Sequence, residues 1–230
     1  PDCPFEIIQI GAVKLDENFS ILEQFNFLIK PVIYPRIHPY VEKITNLTYD
    51  QLKDCPTFEE AYKALIHFIG NQETLLCTWG SDDIKSLFKN ILFYHLDTTK
   101  ICNRFINVQK LASSYLKYES GKAIGLKNAV TELHIKAEEP FHDALYDALY
   151  TAKIFQIVHQ KENKPEICQI AELLHKNKKT TRFHVKGLVE YFEKTLNREL
   201  TLEEKALIKK AYKFGKAHAF DIPKKKKSIP

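Results

Sequence analysis

Residues 6–14 read EIIQIGAVK and residues 22–30 read LEQFNFLIK, two runs rich in β-branched and aromatic side chains joined across Asp16-Glu17-Asn18. Such runs on either side of a turn signal predict an antiparallel hairpin. Pro31, Pro35 and Pro39 then interrupt regular structure, and residues 41–52 are polar with short helical turns. Thr57 followed by Glu60 is a capping box. It predicts an amphipathic helix to about Gly70 with Phe58, Ala61, Leu65 and Phe68/Ile69 on one face. A short apolar strand over 74–78 leads through Trp79-Gly80-Ser81 to Asp82-Asp83 and a helix reaching about Tyr94. Further helices are predicted at 108–117, at 125–133 and, after Glu138-Glu139-Pro140, at about 143–159. Strands first, then helices interleaved with short strands, predict an α/β fold with a mixed sheet flanked by helices. Beyond a linker at 161–165, residues 166–176, 183–196 and 201–218 have helical periodicity, an all-helical appendix.

Composition bounds what this chain does. Apolar residues make up 44% of the 230 and charged residues 27%, which excludes disordered and collagen-like classes. No apolar run approaches the roughly 18 residues that a membrane span needs. The five cysteines are odd in number, scattered and without a C-x-x-C pair, so the chain reads as a protein of a reducing, cytoplasmic compartment. Charge is uneven. Residues 165–230 hold 16 Lys+Arg against 8 Asp+Glu, a net of +8, on a body of net −3. This asymmetry suggests a polyanion contact, although a run such as Lys224–Lys227 also reads as a solvated tail.

Two acidic places qualify as chemical sites, because Mg²⁺ and Mn²⁺ prefer hard oxygen ligands on rigid elements. Asp82-Asp83 follows a strand and opens a helix, which reads either as a metal ligand or as a helix cap. The second place is residues 141–148, FHDALYDA. His142 precedes the helix there, and Asp147 lies one turn inside it between the small residues Ala144 and Ala148. An acid on so close-packed a turn is costly unless it is paired or metal-bound, whereas Asp143 reads as a helix cap.

Together these motifs resemble the DEDDh 3′-to-5′ exonuclease family, which has a ribonuclease H-like fold. His142 and Asp147 match its H-x-x-x-x-D motif, TWGSDDIKSL puts Asp83 at its second motif, and residues 6–13 match its strand EIIxIGAV. HPYVEKITNL, residues 38–47, resembles the segment that holds the terminal nucleotide, with Asn46 where a glycine is usual; Asn tolerates φ > 0 best among the other residues.

The resemblance covers about residues 5–158. It implies an exonuclease domain over 1–164, a basic helical extension over 165–230, and Mg²⁺ or Mn²⁺ as cofactor, two ions in a complete site. Asp83 and Asp147 would be metal ligands and His142 the general base. Thr45, Asn46, Leu47 and Trp79 would contact the 3′ end of single-stranded RNA or DNA, although Leu47 and Trp79 also read as packing residues. The family's D-x-E motif has no match in residues 1–5, and Asp2 and Glu6 are too widely spaced to supply it. The natural protein is therefore expected to have residues upstream of Pro1 that carry this central strand, and a sheet without it would lose its middle. A non-catalytic exonuclease-like regulator and a plain nucleic-acid-binding protein remain alternatives.

Overall fold

The computed structural model describes residues 5–34, 36–71, 73–119, 122–159, 165–176 and 185–216. The chain divides into two compact units, Pro1–Asn177 and Lys178–Pro230.

The first unit opens with the hairpin that the sequence predicts. Strand β1 (Gln9–Leu15) pairs antiparallel with β2 (Ile21–Leu28), Gln9 opposite Leu28 and Val13 opposite Gln24. Pro39 is tolerated in the first turn of α1 (Pro39–Thr45), where its missing N–H costs nothing, and α2 (Tyr49–Leu52) is a single capped turn. The capping box forms at α3 (Phe58–Ile69), with the Glu60 N–H donating to Thr57 Oγ1 and the Thr57 N–H donating to Glu60 Oε2 at 2.7 Å. Strand β3 (Leu76–Thr78) leads into α4 (Asp82–Phe93). The helices α5 (Val108–Tyr115), α6 (Leu126–Glu132) and α7 (Ala144–Val158) follow the predicted pattern.

Three features differ from the sequence expectations. A strand, β4 (Arg104–Asn107), lies where none is predicted. It is four residues long and runs straight into α5, capped by the Asn107 side chain on the Lys110 N–H, so no turn signal separates the two. Residues 166–176 are not one helix: Ile167–Gln169 form β5, and α8 covers Ile170–Lys176. The pull of pairing with β4 overrides a helical period too short to be decisive. Compact structure thus continues past the linker to residue 177. The sheet is also not single. β3 pairs parallel with β4, and β4 antiparallel with β5, in a mixed three-stranded sheet, while β1 and β2 form a sheet of their own.

The sheets separate two apolar cores. Ile29, Phe58, Leu65, Phe88, Ile91 and Phe105 belong to the first, on the α3 and α4 side; Ile106, Val108, Val130, Ile154 and Phe155 belong to the second, beneath α5, α6 and α7. Adjacent residues Phe105 and Ile106 enter different cores because successive side chains on a strand point to opposite faces. Two polar anchors hold the lead-in to β1. The Glu6 carboxylate accepts from the N–H groups of Val32, Ile33 and Tyr34 at 2.6–3.1 Å and from the Tyr94 hydroxyl at 3.2 Å. Fully buried Asn90 donates to the Phe5 carbonyl at 3.1 Å. Glu6 is thereby committed to structure.

In the second unit, α9 (Val185–Leu196) packs on α10 (Leu202–Lys216), with Leu200 buried in the connection. Arg198 forks onto Glu204 at 2.7 and 2.8 Å and holds that carboxyl down at about 2. Lys161–Lys164 of the linker and the basic residues Lys178, Lys179, Arg182 and Lys224–Lys227 lie outside the described residues. No helix among the described residues is long and apolar enough to cross a membrane.

At Gly11 the backbone of β1 lies tight against that of α7. A Cβ built on Gly11 would lie 2.1 Å from the Ala144 carbonyl carbon and 2.2 Å from the Leu145 nitrogen, both backbone atoms that cannot swing aside. Gly11→Ala is therefore expected to cost at least about 3 kcal/mol, lowering Tm by about 6–12 °C in a thermal melt. An unchanged Tm would show that α7 does not lie on β1 there.

Candidate active site

Asp83 owes its position to a tight turn. After β3 the Thr78 hydroxyl donates to the Gly80 carbonyl at 2.8 Å, and Gly80 takes φ +85°, a conformation that side chains resist. Trp79 between them is half-buried on the second core. The turn delivers two acids to the start of α4. Asp82 points to solvent and pairs with Lys85 at 2.8 Å. Solvent reaches Asp83, yet protein surrounds it closely enough that desolvation raises its pKa, with further upward pressure from the charges of Asp82 and Asp147. Among the described residues its carboxylate accepts no hydrogen bond, and the helix cap, Ser81, uses no side-chain bond either. Capping therefore does not account for Asp83.

Asp147 arrives from the other direction. The α7 cap is Asp143, whose Oδ1 accepts from the Leu145 and Tyr146 N–H groups at 2.9 and 3.1 Å. Its Oδ2 accepts from Gln9 Nε2 at 2.9 Å, and Gln9 Oε1 in turn accepts the Ala144 N–H at 3.2 Å. Gln9 of β1 thus holds both the cap and the first amide of α7. One turn on, half-buried Asp147 accepts the His142 N–H on Oδ1 at 3.2 Å. Burial raises its pKa, and Asp143 adds to this; the His142 N–H and charge oppose the rise.

His142 itself is exposed and held at φ +71°, left-handed backbone that a non-glycine residue adopts only when its surroundings impose it. The constraint is visible. The hydroxyl of buried Tyr150 donates to the Glu139 carbonyl at 2.7 Å and accepts the Glu139 N–H at 3.0 Å, while Phe141 stacks on its ring at 5.0 Å. The loop before His142 is thereby pinned to α7.

The His142 N–H is bonded to Asp147, and the charge of Asp147 is one of the influences that raise the pKa of Asp83. Thr45, Asn46 and Leu47 end α1: the Thr45 hydroxyl donates to the Val41 carbonyl at 2.8 Å and accepts the Leu47 N–H at 3.3 Å. Asn46 takes φ 56°, the left-handed conformation for which Asn is suited. Among the described residues no hydrogen bond joins these three to Asp83, Asp147 or His142. Sequence reasoning missed Gln9 and Tyr150. A lone polar residue inside EIIQIGAV was the signal for Gln9; Tyr150 gave none, since a tyrosine in an apolar helix face reads as core.

The carboxylates are hard oxygens of the kind Mg²⁺ and Mn²⁺ take, and their raised proton affinity marks negative charge that a cation would relieve. Among the described residues, however, no three His, Cys, Asp or Glu side chains gather where an ion could sit. The donor set fits such ions in kind and falls short in number.

The sequence profile of the exonuclease family matches residues 2–155. A probable 3′-5′ exonuclease KapD of Bacillus subtilis is 26% identical over 171 residues, 73% of this chain and 81% of that protein. Among solved structures, the nuclease domain of 3′hExo, a DEDDh family member bound to rAMP, superposes with a TM-score of 0.63 at 23% identity over 71% of this chain and 86% of its own. Exonuclease X in complex with 5′-overhanging duplex DNA gives 0.51 at 17% identity over 68% and 87%. These likenesses establish a ribonuclease H-like α/β fold for the first unit.

The raised pKa of Asp83, which burial causes first and the charges of Asp82 and Asp147 reinforce, has a sign that can be measured. An aspartate whose pKa is raised by folding costs nothing below the unfolded value of about 3.9. The cost grows as pH rises from there through the folded pKa and is complete above it. At pH 7 without metal, Asp83→Asn is therefore expected to raise Tm slightly, by about 1–2 °C because solvent screens the repulsion, with the gap closing towards pH 4. A lower Tm at pH 7 would mean that the Asp83 charge is already compensated.

Proposed function

Because this chain belongs to the exonuclease family, we propose that it is a metal-dependent 3′-to-5′ exonuclease of the DEDDh class, hydrolysing phosphodiester bonds at the 3′ end of single-stranded RNA or DNA. The observation that carries this reading is the family match over residues 2–155, supported by the bond from the His142 N–H to Asp147 and by the Asp147 charge that acts on Asp83 from another helix.

In this proposal Asp83 and Asp147 hold Mg²⁺ or Mn²⁺ together with carboxylates of a D-x-E strand. The bound ions supply Lewis-acid stabilisation of charge at the scissile phosphate. The exposed His142 ring takes the proton from attacking water; imidazole suits that task because its ordinary titration range is nearest neutrality. Its backbone bond to Asp147 and the Tyr150 clamp fix where that base stands. Thr45, Asn46 and Leu47 grip the terminal nucleotide, Leu47 as the apolar wedge, on a turn that the left-handed Asn46 closes. The packing of Trp79 on the second core favours support of the Asp83 turn over base stacking.

The shortage of metal donors favours one other reading, a non-catalytic exonuclease-like regulator. Metal-dependent release of mononucleotides from a 3′-labelled strand separates the two. The 230 residues alone are expected to release little or nothing with Mg²⁺, because two carboxylates are too few to hold an ion pair that dehydrates reluctantly. In a polypeptide carrying a D-x-E strand, His142→Ala is expected to cut turnover by about 10²- to 10⁴-fold with metal affinity retained. Asp147→Asn is expected to weaken metal binding as well. Robust Mg²⁺-dependent activity from the 230 residues would place the ligands elsewhere, and equal mild losses in both variants would remove them from the chemistry.

A further inference from the structure

The boundary between the two units is also a boundary of charge. The second unit, 178–230, carries 15 Lys+Arg against 6 Asp+Glu, a net of +9, and the first carries 19 against 23, a net of −4. Within the helical pair the acids are largely spent. Glu193 pairs with Lys205 at 2.8 Å, Glu204 with Arg198, and Glu190 with Lys186 at 3.9 Å. Lys194, Lys209 and Lys210 are exposed and make no ion pair among the described residues. Lys194, Lys209 and Lys210 therefore present ammonium groups to solvent that pair with no carboxylate among the described residues. On α10 Lys205, Lys209, Lys213 and Lys216 follow one another at steps of four, four and three residues along one continuous helix, the spacing of a single helical face. On α9 the exposed Tyr191 lies one turn before Lys194. Aromatic side chains interleaved with unpaired cations are what a single strand uses, bases on the rings and phosphates on the cations.

We propose that the second unit is a backbone-binding surface for single-stranded nucleic acid that recognises phosphate without reading sequence, with Lys194, Lys209 and Lys210 among its contacts. The choice of nucleic acid among polyanions rests on the nuclease reading of the first unit. Ammonium groups on flexible stems are point charges that suit any phosphate, so this surface adds affinity and not base preference.

The test is the salt dependence of binding by the full chain without divalent ions. Anisotropy of 5′-fluorescein-labelled oligo(U) and oligo(dT) would be followed from about 50 to 200 mM salt. Each lysine that neutralises a phosphate contributes about 0.7 to the slope of log K against log salt for a single strand. The Lys194→Gln, Lys209→Gln, Lys210→Gln triple variant should accordingly flatten the slope by about 2, with the ratio of the two affinities unchanged. The corresponding triple Arg variant should keep the slope. The inference is overturned by an unchanged slope in the Gln variant, by failure of the parent chain to bind either strand at about 50 mM salt, or by tighter binding to phosphatidylserine vesicles than to either strand. Failure of the nuclease reading looks different: a polypeptide with a D-x-E strand releases no nucleotide with Mg²⁺, whatever the slope.

Discussion

The backbone of α7 lies against β1 at Gly11 with no room for a single added carbon, and the candidate site depends on that contact. Because β1 is fixed at its start by Glu6 and Asn90, α7 inherits a fixed height and direction from the strand. Gln9, two residues before Gly11 and on the same face, then sets the axial position by bonding Asp143 and the Ala144 amide. A residue with a side chain at 11 or an apolar one at 9 would leave the helix free to shift. One turn of helix separates Asp143 from Asp147, so the placement of the acid follows from that of the cap.

Asp83 feels the charges of Asp82 and Asp147, Asp147 that of Asp143, and protein surrounds both carboxylates. This is an unfavourable arrangement: desolvation and like charges act against the charged forms. The left-handed backbone of His142 is a second local cost, held by the Tyr150 clamp and by Asp147. Costs of this kind concentrate where function needs groups held against their preferences. Their coincidence at one end of α7 distinguishes this place from the capping acids elsewhere, such as Glu60, whose carboxylate is satisfied by Thr57.

Much of this was legible in the sequence, for identifiable reasons. The β1–β2 hairpin and α3 carry strong local signals, a turn between β-rich runs and a capping box, and both form where those signals stand. Asp83, His142 and Asp147 stand as candidates because the motifs they match combine residue type, spacing and secondary structure, and α4 and α7 form where those motifs place them. β4 and β5 were not legible. They are four and three residues long, and long-range pairing that no local window contains decides them. Gln9 and Tyr150 escaped because their roles lie in partners 134 and 11 residues away.

On the proposed function, the β1–α7 contact sets Asp83, Asp147 and His142 into one metal-centred site. The most direct measurement is an anomalous difference map from crystals of a polypeptide carrying a D-x-E strand, soaked with Mn²⁺ and a nucleoside 5′-monophosphate. The account predicts a Mn²⁺ peak within coordination distance of both the Asp83 and Asp147 carboxylates, with the His142 ring facing the phosphate. Carboxylates on different faces of the domain, or a peak that neither of them touches, would contradict it.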